Sequence, residues 1–131
     1  MKSKKLIILI TMILLYTPII GQNKYKIENL EIDSIILKEY EYHKRIWILK
    51  TIIKDQKIKN SIITKYINKN KSVYILKIRK KYALTIYFKN GDEISIAING
   101  KYFTPSNSSG WYKMKKNLIK YILKNNINES I

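Results

Sequence analysis

Branched and aromatic residues dominate two consecutive stretches in the first half of the chain, from Ile32 to Tyr42 and from Arg45 to Lys54. Residues of this kind are enriched in β-strands, so the pattern predicts two strands. His43 and Lys44 would form the turn between them, although neither is a strong turn former. A single long helix is the alternative, because no Gly or Pro interrupts the region.

Apolar residues then recur at helical spacing. Asp55 is a candidate N-cap, because its carboxylate can accept hydrogen bonds from the free amide groups of a first helical turn. An apolar stripe with the spacing of a helix is formed by Ile58, Ile62, Ile63, Tyr66 and Ile67. The polar residues around it are predicted to face solvent: Lys57, Lys59, Asn60 and Lys65. We expect this helix to end at residues 68–70 and a strand to follow from Val73 to Ile78.

The dipeptide Asn90-Gly91 lies between two alternating segments and predicts a β-hairpin. A two-residue turn would pair Lys89 with Asp92 and would place the apolar residues of the two strands on opposite faces of the sheet. A three-residue loop, with Gly91 in the left-handed conformation, pairs Phe88 with Asp92 instead. We predict this second register, because it places the apolar side chains on one buried face: Leu84, Ile86, Ile94 and Ile96.

A second Asn-Gly pair, Asn99-Gly100, turns the chain into residues 101–103 and predicts a three-stranded antiparallel meander. Residues 105–110 form a polar loop rich in Ser and Asn. Beyond it, the inner face of a C-terminal helix is indicated by Met114, Leu118, Tyr121 and Ile122. The order of elements predicts an α+β domain, in which an antiparallel sheet of about five strands has two helices packed on one face.

The N-terminal pattern differs from the rest of the chain. Lys2, Lys4 and Lys5 precede an apolar stretch from Leu6 to Ile20, and polar residues resume at Gln22. This pattern is typical of a secretory signal peptide. The apolar stretch is also shorter than the roughly 20 residues that a membrane-spanning helix needs.

We therefore expect residues 1–21 to be a signal peptide that is removed after Gly21. Residues 22–131 are then one α+β domain, exported to the periplasm or out of the cell, with no transmembrane segment. An uncleaved N-terminal membrane anchor is the alternative, because Ile19 is a poor residue three positions before the cut.

Composition adds a formal net charge of +17, from 26 basic and 9 acidic residues. Only Arg45 and Arg79 among the basic residues are Arg, the side chain that binds phosphate in a bidentate fork. The remaining Lys residues accompany many Ile, Asn and Tyr, whose codons are A/T-rich, so the charge can reflect genome composition. We predict no specific nucleic-acid partner. The chain has no Cys, which excludes disulfides and acylation at a lipoprotein Cys.

Glu39, Glu41 and His43 form the sharpest candidate for chemistry. Residues two apart in a strand project to the same side, and two carboxylates with an imidazole could hold a metal ion or form a general base. Such neighbours diverge by about 6.5 to 7 Å along a strand, so a solvated strand face is the favoured interpretation. We predict no metal site, no cofactor and no catalytic residue.

Two further groups are candidates for binding. Lys77, Arg79 and Lys81 alternate along one segment and would present a positive face to an anionic polymer. Trp111 and Tyr112 follow the polar loop and could contact a carbohydrate or a peptide. Aromatic residues in such a position more often anchor the loop to the core, which is the interpretation we prefer.

The sequence leads to three hypotheses about function. The first is a non-enzymatic binding or accessory domain of the cell envelope, such as an inhibitor, that uses a sheet edge or the loop at residues 105–110. The second is a polyanion-binding module that uses Lys77, Arg79 and Lys81. The third is a small metal-dependent hydrolase. The partner classes considered are an envelope protein and an anionic polymer.

Overall fold

The computed structural model of the protein describes residues 24–74 and 78–125. Within these ranges, seven strands form one antiparallel sheet: β1 (Ile32–Glu41), β2 (Ile46–Ile53), β3 (Asn70–Val73), β4 (Tyr82–Phe88), β5 (Glu93–Asn99), β6 (Tyr102–Pro105) and β7 (Trp111–Met114). The first of two helices is an α-helix at Gln56–Ser61 (α1) that continues as a π-helix at Ile62–Ile67, and the second helix, α2, spans Leu118–Asn125. The predicted α+β class is confirmed. The predicted signal peptide at residues 1–21 lies outside the described residues.

The order of strands across the sheet is β2-β1-β4-β5-β6-β7-β3. The prediction of about five strands was too low: it placed no strand at residues 111–114 and assigned Met114 to the C-terminal helix. Met114 fits a helical spacing with Leu118, but it lies in β7, where its backbone N–H donates to the carbonyl of Lys101 at 2.8 Å. The strand predicted at residues 73–78 corresponds in part to β3, which starts and ends earlier, and residues 75–77 lie outside the described ranges.

The hairpin of β4 and β5 has the predicted three-residue register. Leu84 pairs with Ile96 and Ile86 with Ile94, and the Phe88 N–H donates to the carbonyl of Asp92 at 2.9 Å. Gly91 has a φ of 94°, a conformation that glycine adopts without the steric cost of a Cβ atom. The alternation of apolar residues was therefore sufficient to choose between the two registers.

The hydrophobic core lies on one face of the sheet, beneath the two helices. Its fully buried strand residues include Ile35, Leu37, Ile53, Leu84, Ile86, Ile96, Ile98 and Phe103. The helices contribute Ile62, Ile63, Ile67, Leu118 and Ile122. The predicted buried face of the hairpin is thus the core face, with Ile94 partly buried at its border.

Helix α1 begins where the sequence predicts. The Asp55 carboxylate accepts a hydrogen bond from the Ile58 N–H at 3.0 Å, as an N-cap does. Lys59, predicted to face solvent, is instead buried at 4% exposure. It lies three and four residues before the buried Ile62 and Ile63, so the helix turns it toward the sheet.

Two Asn side chains at the end of the first helix hold the segment at residues 24–30. Asn68 bonds both the N–H and the carbonyl of Ile27, at 2.8 and 2.9 Å. Asn70 does the same for Tyr25, at 3.0 and 2.7 Å. A side-chain amide carries the same donor and acceptor as a peptide group, so the two residues make the hydrogen bonds that a neighbouring strand would make.

In the part of the chain that the structure describes, there is no helix long and apolar enough to cross a membrane.

Candidate functional site

The edge strand β2 carries four consecutive exposed hydrophobic residues. The exposed fractions are 49% for Ile46, 42% for Trp47, 40% for Ile48 and 47% for Leu49. The other large hydrophobic residues that are exposed in the described ranges are Leu30, Tyr74 and Leu123, which are isolated from one another in the sequence. Among these exposed residues, the run in β2 is therefore the one in which large apolar residues follow one another along a strand.

A β-bulge separates the exposed half of β2 from its buried half. Leu37 of β1 pairs with Thr51 and Lys38 pairs with Leu49, so Lys50 is an extra residue in β2. On one side of the bulge, Thr51 and Ile53 are buried with the core. On the other side, residues 46–49 extend past the core with side chains on both faces of the sheet, because successive strand residues alternate.

The backbone of β2 is also available. The strand is last in the order of the sheet and pairs on one side, with β1. An edge strand presents a row of N–H and C=O groups that can pair with another strand. Lys side chains and bulges commonly protect such edges, and here the bulge and Lys50 lie beside the apolar residues rather than among them.

Aromatic residues pack together at the exposed half of the β1–β2 hairpin. The ring of Tyr40 lies 5.1 Å from that of Trp47 and 4.8 Å from that of Tyr42. Arg79 places its guanidinium carbon 3.9 Å from the Tyr42 ring centroid, and the Tyr42 hydroxyl donates to the carbonyl of Lys80 at 2.6 Å. These contacts attach the β1–β2 hairpin to residues 79–80, which precede β4.

The charges around the exposed strand are mostly positive. Exposed basic residues surround it: Lys38, Lys44, Arg45, Lys50 and Lys54. The nearby carboxylate of Glu39 is already paired with Lys50 at 3.3 Å. Burial, the negative charge of Glu39 and a hydrogen bond with Glu39 raise the pKa of Tyr82 above its usual value.

The three residues of the candidate metal or catalytic group are not brought together. Glu39 pairs with Lys50, and the Glu41 carboxylate accepts from the backbone N–H of His43 at 3.1 Å. Strand β1 ends at Glu41, so His43 lies in the turn and is no longer subject to the alternation that would align it with the carboxylates. Across residues 24–74 and 78–125, no group of three or more His, Cys, Asp or Glu side chains could hold a metal ion.

The structure describes two of the three residues of the predicted basic strip, Arg79 and Lys81. Lys77 lies outside the described residues, and residues 78–81 precede β4 without forming a strand. Arg79 contacts Tyr42 as described above, and the amino group of Lys81 lies 5.7 Å from the Tyr82 ring centroid. Arg79 therefore packs against the turn of the β1–β2 hairpin through Tyr42.

Trp111 and Tyr112 both lie in β7, directly after the polar loop. The Tyr112 ring stacks on Phe103 at 5.5 Å, and its hydroxyl lies 2.9 Å from that of Ser108 in the loop. Trp111 is half-buried and pairs with Val73 of β3. Tyr112 thus joins the loop to the core, while Trp111 borders the β3 edge.

The sequence predicted β2 but not its exposure. Four successive apolar residues fit a strand that is buried on both faces as well as one that is exposed on both. Strict alternation of apolar and polar residues, which would indicate one buried and one exposed face, is absent at residues 46–49.

Comparison with known proteins adds no assignment: no family model matches the chain, and no curated protein or solved structure is significantly similar to it.

Proposed function

We propose that this protein is a non-enzymatic binding domain that adds an extended segment of a partner protein to its sheet at the edge strand β2. The observation that carries the proposal is the run of exposed apolar residues at 46–49 on an edge strand, which among the described residues pairs only with β1. In binding by strand addition, main-chain hydrogen bonds provide affinity, and side chains that alternate along the segment provide specificity. The exposed half of β2 offers both.

The apolar residues supply the driving force. Fully burying one Ile, Leu or similar side chain contributes about 1.5 to 3 kcal/mol, and each of the four is close to half exposed. Covering them all would contribute on the order of 3 to 5 kcal/mol before the entropic cost of association. The aromatic contacts of Tyr40 and Tyr42 hold the strand in place beforehand, which lowers that cost.

The positive rim selects the kind of segment. A partner strand with apolar residues at alternate positions and Asp or Glu at its ends would meet Lys38, Lys44 and Arg45 favourably. A second copy of this chain is a poor occupant, because the formal charge of each copy is +17 and like charges at an interface oppose association.

The location of the partner follows from the N-terminal pattern. A basic start and a short apolar stretch are typical of an export signal. We propose that the domain is exported and that the partner is a protein of the cell envelope or of the extracellular space.

A peptide-display selection with the purified protein tests the proposal. Peptides of about ten residues, long enough for one strand, are expected to be enriched when apolar residues alternate and acidic residues flank them. The double variant Ile48→Ser/Leu49→Ser is expected to bind the selected peptides at least about tenfold more weakly, a loss of about 1.4 kcal/mol. The matched control is Leu123→Ser, which removes an isolated residue of 40% exposure on α2 and should leave affinity unchanged.

Two results would contradict the proposal. One is equal binding of the selected peptides to the wild type and to the β2 variant. The other is a wild-type dimer in analytical ultracentrifugation that the β2 variant abolishes, because the edge would then belong to a second copy.

A further inference from the structure

A second surface lies at the opposite edge of the sheet, where β3 and β7 meet. A cavity of about 320 Å³ is lined there by Asn70, Lys71, Lys101, Lys113, Met114 and Lys115. We call the four lysines of this lining the lysine basin. It is at the other end of the strand order from β2, so it is separate from the proposed peptide-binding edge.

Strand pairing brings the four lysines together. Lys71 of β3 lies directly opposite Lys113 of β7. The turn before β6 brings Lys101 to β7, where its carbonyl accepts from the Met114 N–H at 2.8 Å. The N–H of Lys115 donates to the carbonyl of Lys69, next to β3, at 3.2 Å. Strand pairing and backbone hydrogen bonds therefore fix the backbone positions of the four lysines relative to one another.

The lysine basin is electrostatically uncompensated. Its lining contains no carboxylate, and the ion pairs of the described residues, Lys50 with Glu39 and Lys89 with Glu31, do not include its lysines. Like charges directly opposite each other across a strand pair are destabilising. A ligand that neutralises Lys71 and Lys113 would remove this repulsion.

The chemistry of the lining restricts the ligand. A Lys ammonium group has three donors and no acceptor, and the Asn70 amide is already bonded to Tyr25 and Ile67. The groups that remain to bind a ligand are donors, which requires a ligand rich in acceptors and negative charge. Several lysines that line one cavity can supply ammonium donors to the several oxygens of a phosphate or sulfate group.

A second cavity adjoins the basin and is less polar. Its volume is about 490 Å³, and it is lined by Ile78, Asn99, Gly100, Lys101, Tyr102 and Lys113. Lys101 and Lys113 border both cavities, and the Lys113 amino group lies 5.6 Å from the Tyr102 ring centroid. A ligand whose anionic group binds in the lysine basin could thus place an uncharged part of its structure against Tyr102.

We propose that the lysine basin is a binding site for a multiply charged oxyanion, a phosphate or sulfate group of a small ligand. Isothermal titration of the purified protein with inorganic tripolyphosphate, at constant ionic strength in NaCl, tests it. The expected result is saturable binding with one site per chain. Constant ionic strength is needed because a protein of this charge attracts any polyanion weakly.

The decisive comparison is between two variants with the same loss of charge. Lys71→Gln/Lys113→Gln removes the opposed pair and is expected to weaken tripolyphosphate binding by about tenfold or more, equal to about 1.4 kcal/mol. Lys120→Gln/Lys124→Gln removes two exposed lysines of α2 and should change the affinity by less than about twofold. An equal loss in both variants, or a titration without saturation, would overturn the proposal, since either shows attraction to net charge alone.

Two further titrations identify the source of the anion. Sodium sulfate and sodium phosphate, compared at equal ionic strength, distinguish sulfate from phosphate as the preferred group. Glucose 6-phosphate binding more tightly than inorganic phosphate, with the difference lost in Tyr102→Ala, would support a ligand with an uncharged body. Absence of binding by every one of these anions would refute the site.

Discussion

Lys59 is a buried basic side chain that ends on two backbone carbonyl groups. Its amino group donates to the carbonyl of Ile32 at 2.7 Å and to that of Asp33 at 2.9 Å. The register of β1 against β4 shifts between Ile32 and Ser34, so these carbonyls lie at an irregularity of the ladder. A buried polar group without a partner is costly, and Lys59 supplies the partners that the shifted register requires.

Lys59→Met is expected to destabilise the protein by about 2 kcal/mol. Each buried acceptor left without a donor costs about 1 to 3 kcal/mol, and the burial of the apolar Met side chain offsets part of this cost. Urea unfolding followed by circular dichroism measures the change. The control is Lys57→Met at an exposed position of the same helix, which should stay within about 0.5 kcal/mol of the wild type. Equal stability of the two variants would show that Lys59 does not support the start of β1.

At the scale of elements, the segment at residues 24–30 is attached to the sheet without being a strand. Tyr25 packs against Phe103 at 6.0 Å and against Tyr112 at 5.7 Å. Its hydroxyl donates to the Asn107 side chain at 2.8 Å. The segment therefore connects the end of the first helix to the loop between β6 and β7, and Tyr25 makes the contact with that loop.

The pKa of Tyr25 is raised above its usual value of 10.0, mainly by burial and to a smaller extent by Tyr112, which together outweigh the lowering effect of the side-chain hydrogen bond with Asn107. A raised pKa means that folding favours the neutral form, so this stabilisation is complete below the unfolded pKa and is lost as pH rises through the folded pKa. We expect the free energy of unfolding to fall above about pH 10. Tyr25→Phe should reduce that fall, and at neutral pH it should cost about 1 kcal/mol for the lost hydrogen bond.

Urea unfolding at neutral and at alkaline pH checks this expectation. Tyr74→Phe serves as the control, because Tyr74 is 91% exposed. The same alkaline loss in the Tyr25 and Tyr74 variants would assign the effect to other groups.

At the scale of the whole molecule, positive charge is the dominant electrostatic property. The formal charge is +17, and the ion pairs of the described residues, Lys50 with Glu39 and Lys89 with Glu31, are both solvent-accessible. Such pairs contribute about 0 to 1 kcal/mol each. Self-repulsion of the folded state is therefore only slightly offset, and salt should relieve it.

We expect the melting temperature to increase between about 20 mM and about 300 mM NaCl, since the Debye length falls below about 10 Å over this range. Differential scanning fluorimetry measures the increase. The Lys71→Gln/Lys113→Gln variant should show a smaller increase than Lys120→Gln/Lys124→Gln, because the first pair lies directly opposite across two strands. A melting temperature that is independent of salt would indicate that repulsion is not a significant part of the stability of the fold.

The sequence alone determined the features that depend on near neighbours. The Asn90-Gly91 turn and the alternation around it specified the hairpin register, and Asp55 marked the start of the first helix, because both are decided by contacts within a few residues. The strand and helix types, and the apolar face of β4 and β5, followed from the period of the hydrophobic residues.

Only the tertiary structure decided where these elements lie. Whether residues 46–49 are buried or exposed depends on β2 being an edge strand, and an apolar run is compatible with either position. The burial of Lys59 depends on carbonyl groups 26 and 27 residues away, and the lysine basin depends on the pairing of β3 with β7. Local patterns carry no record of such distant pairings, because their free energy comes from surfaces that meet only once the chain has folded.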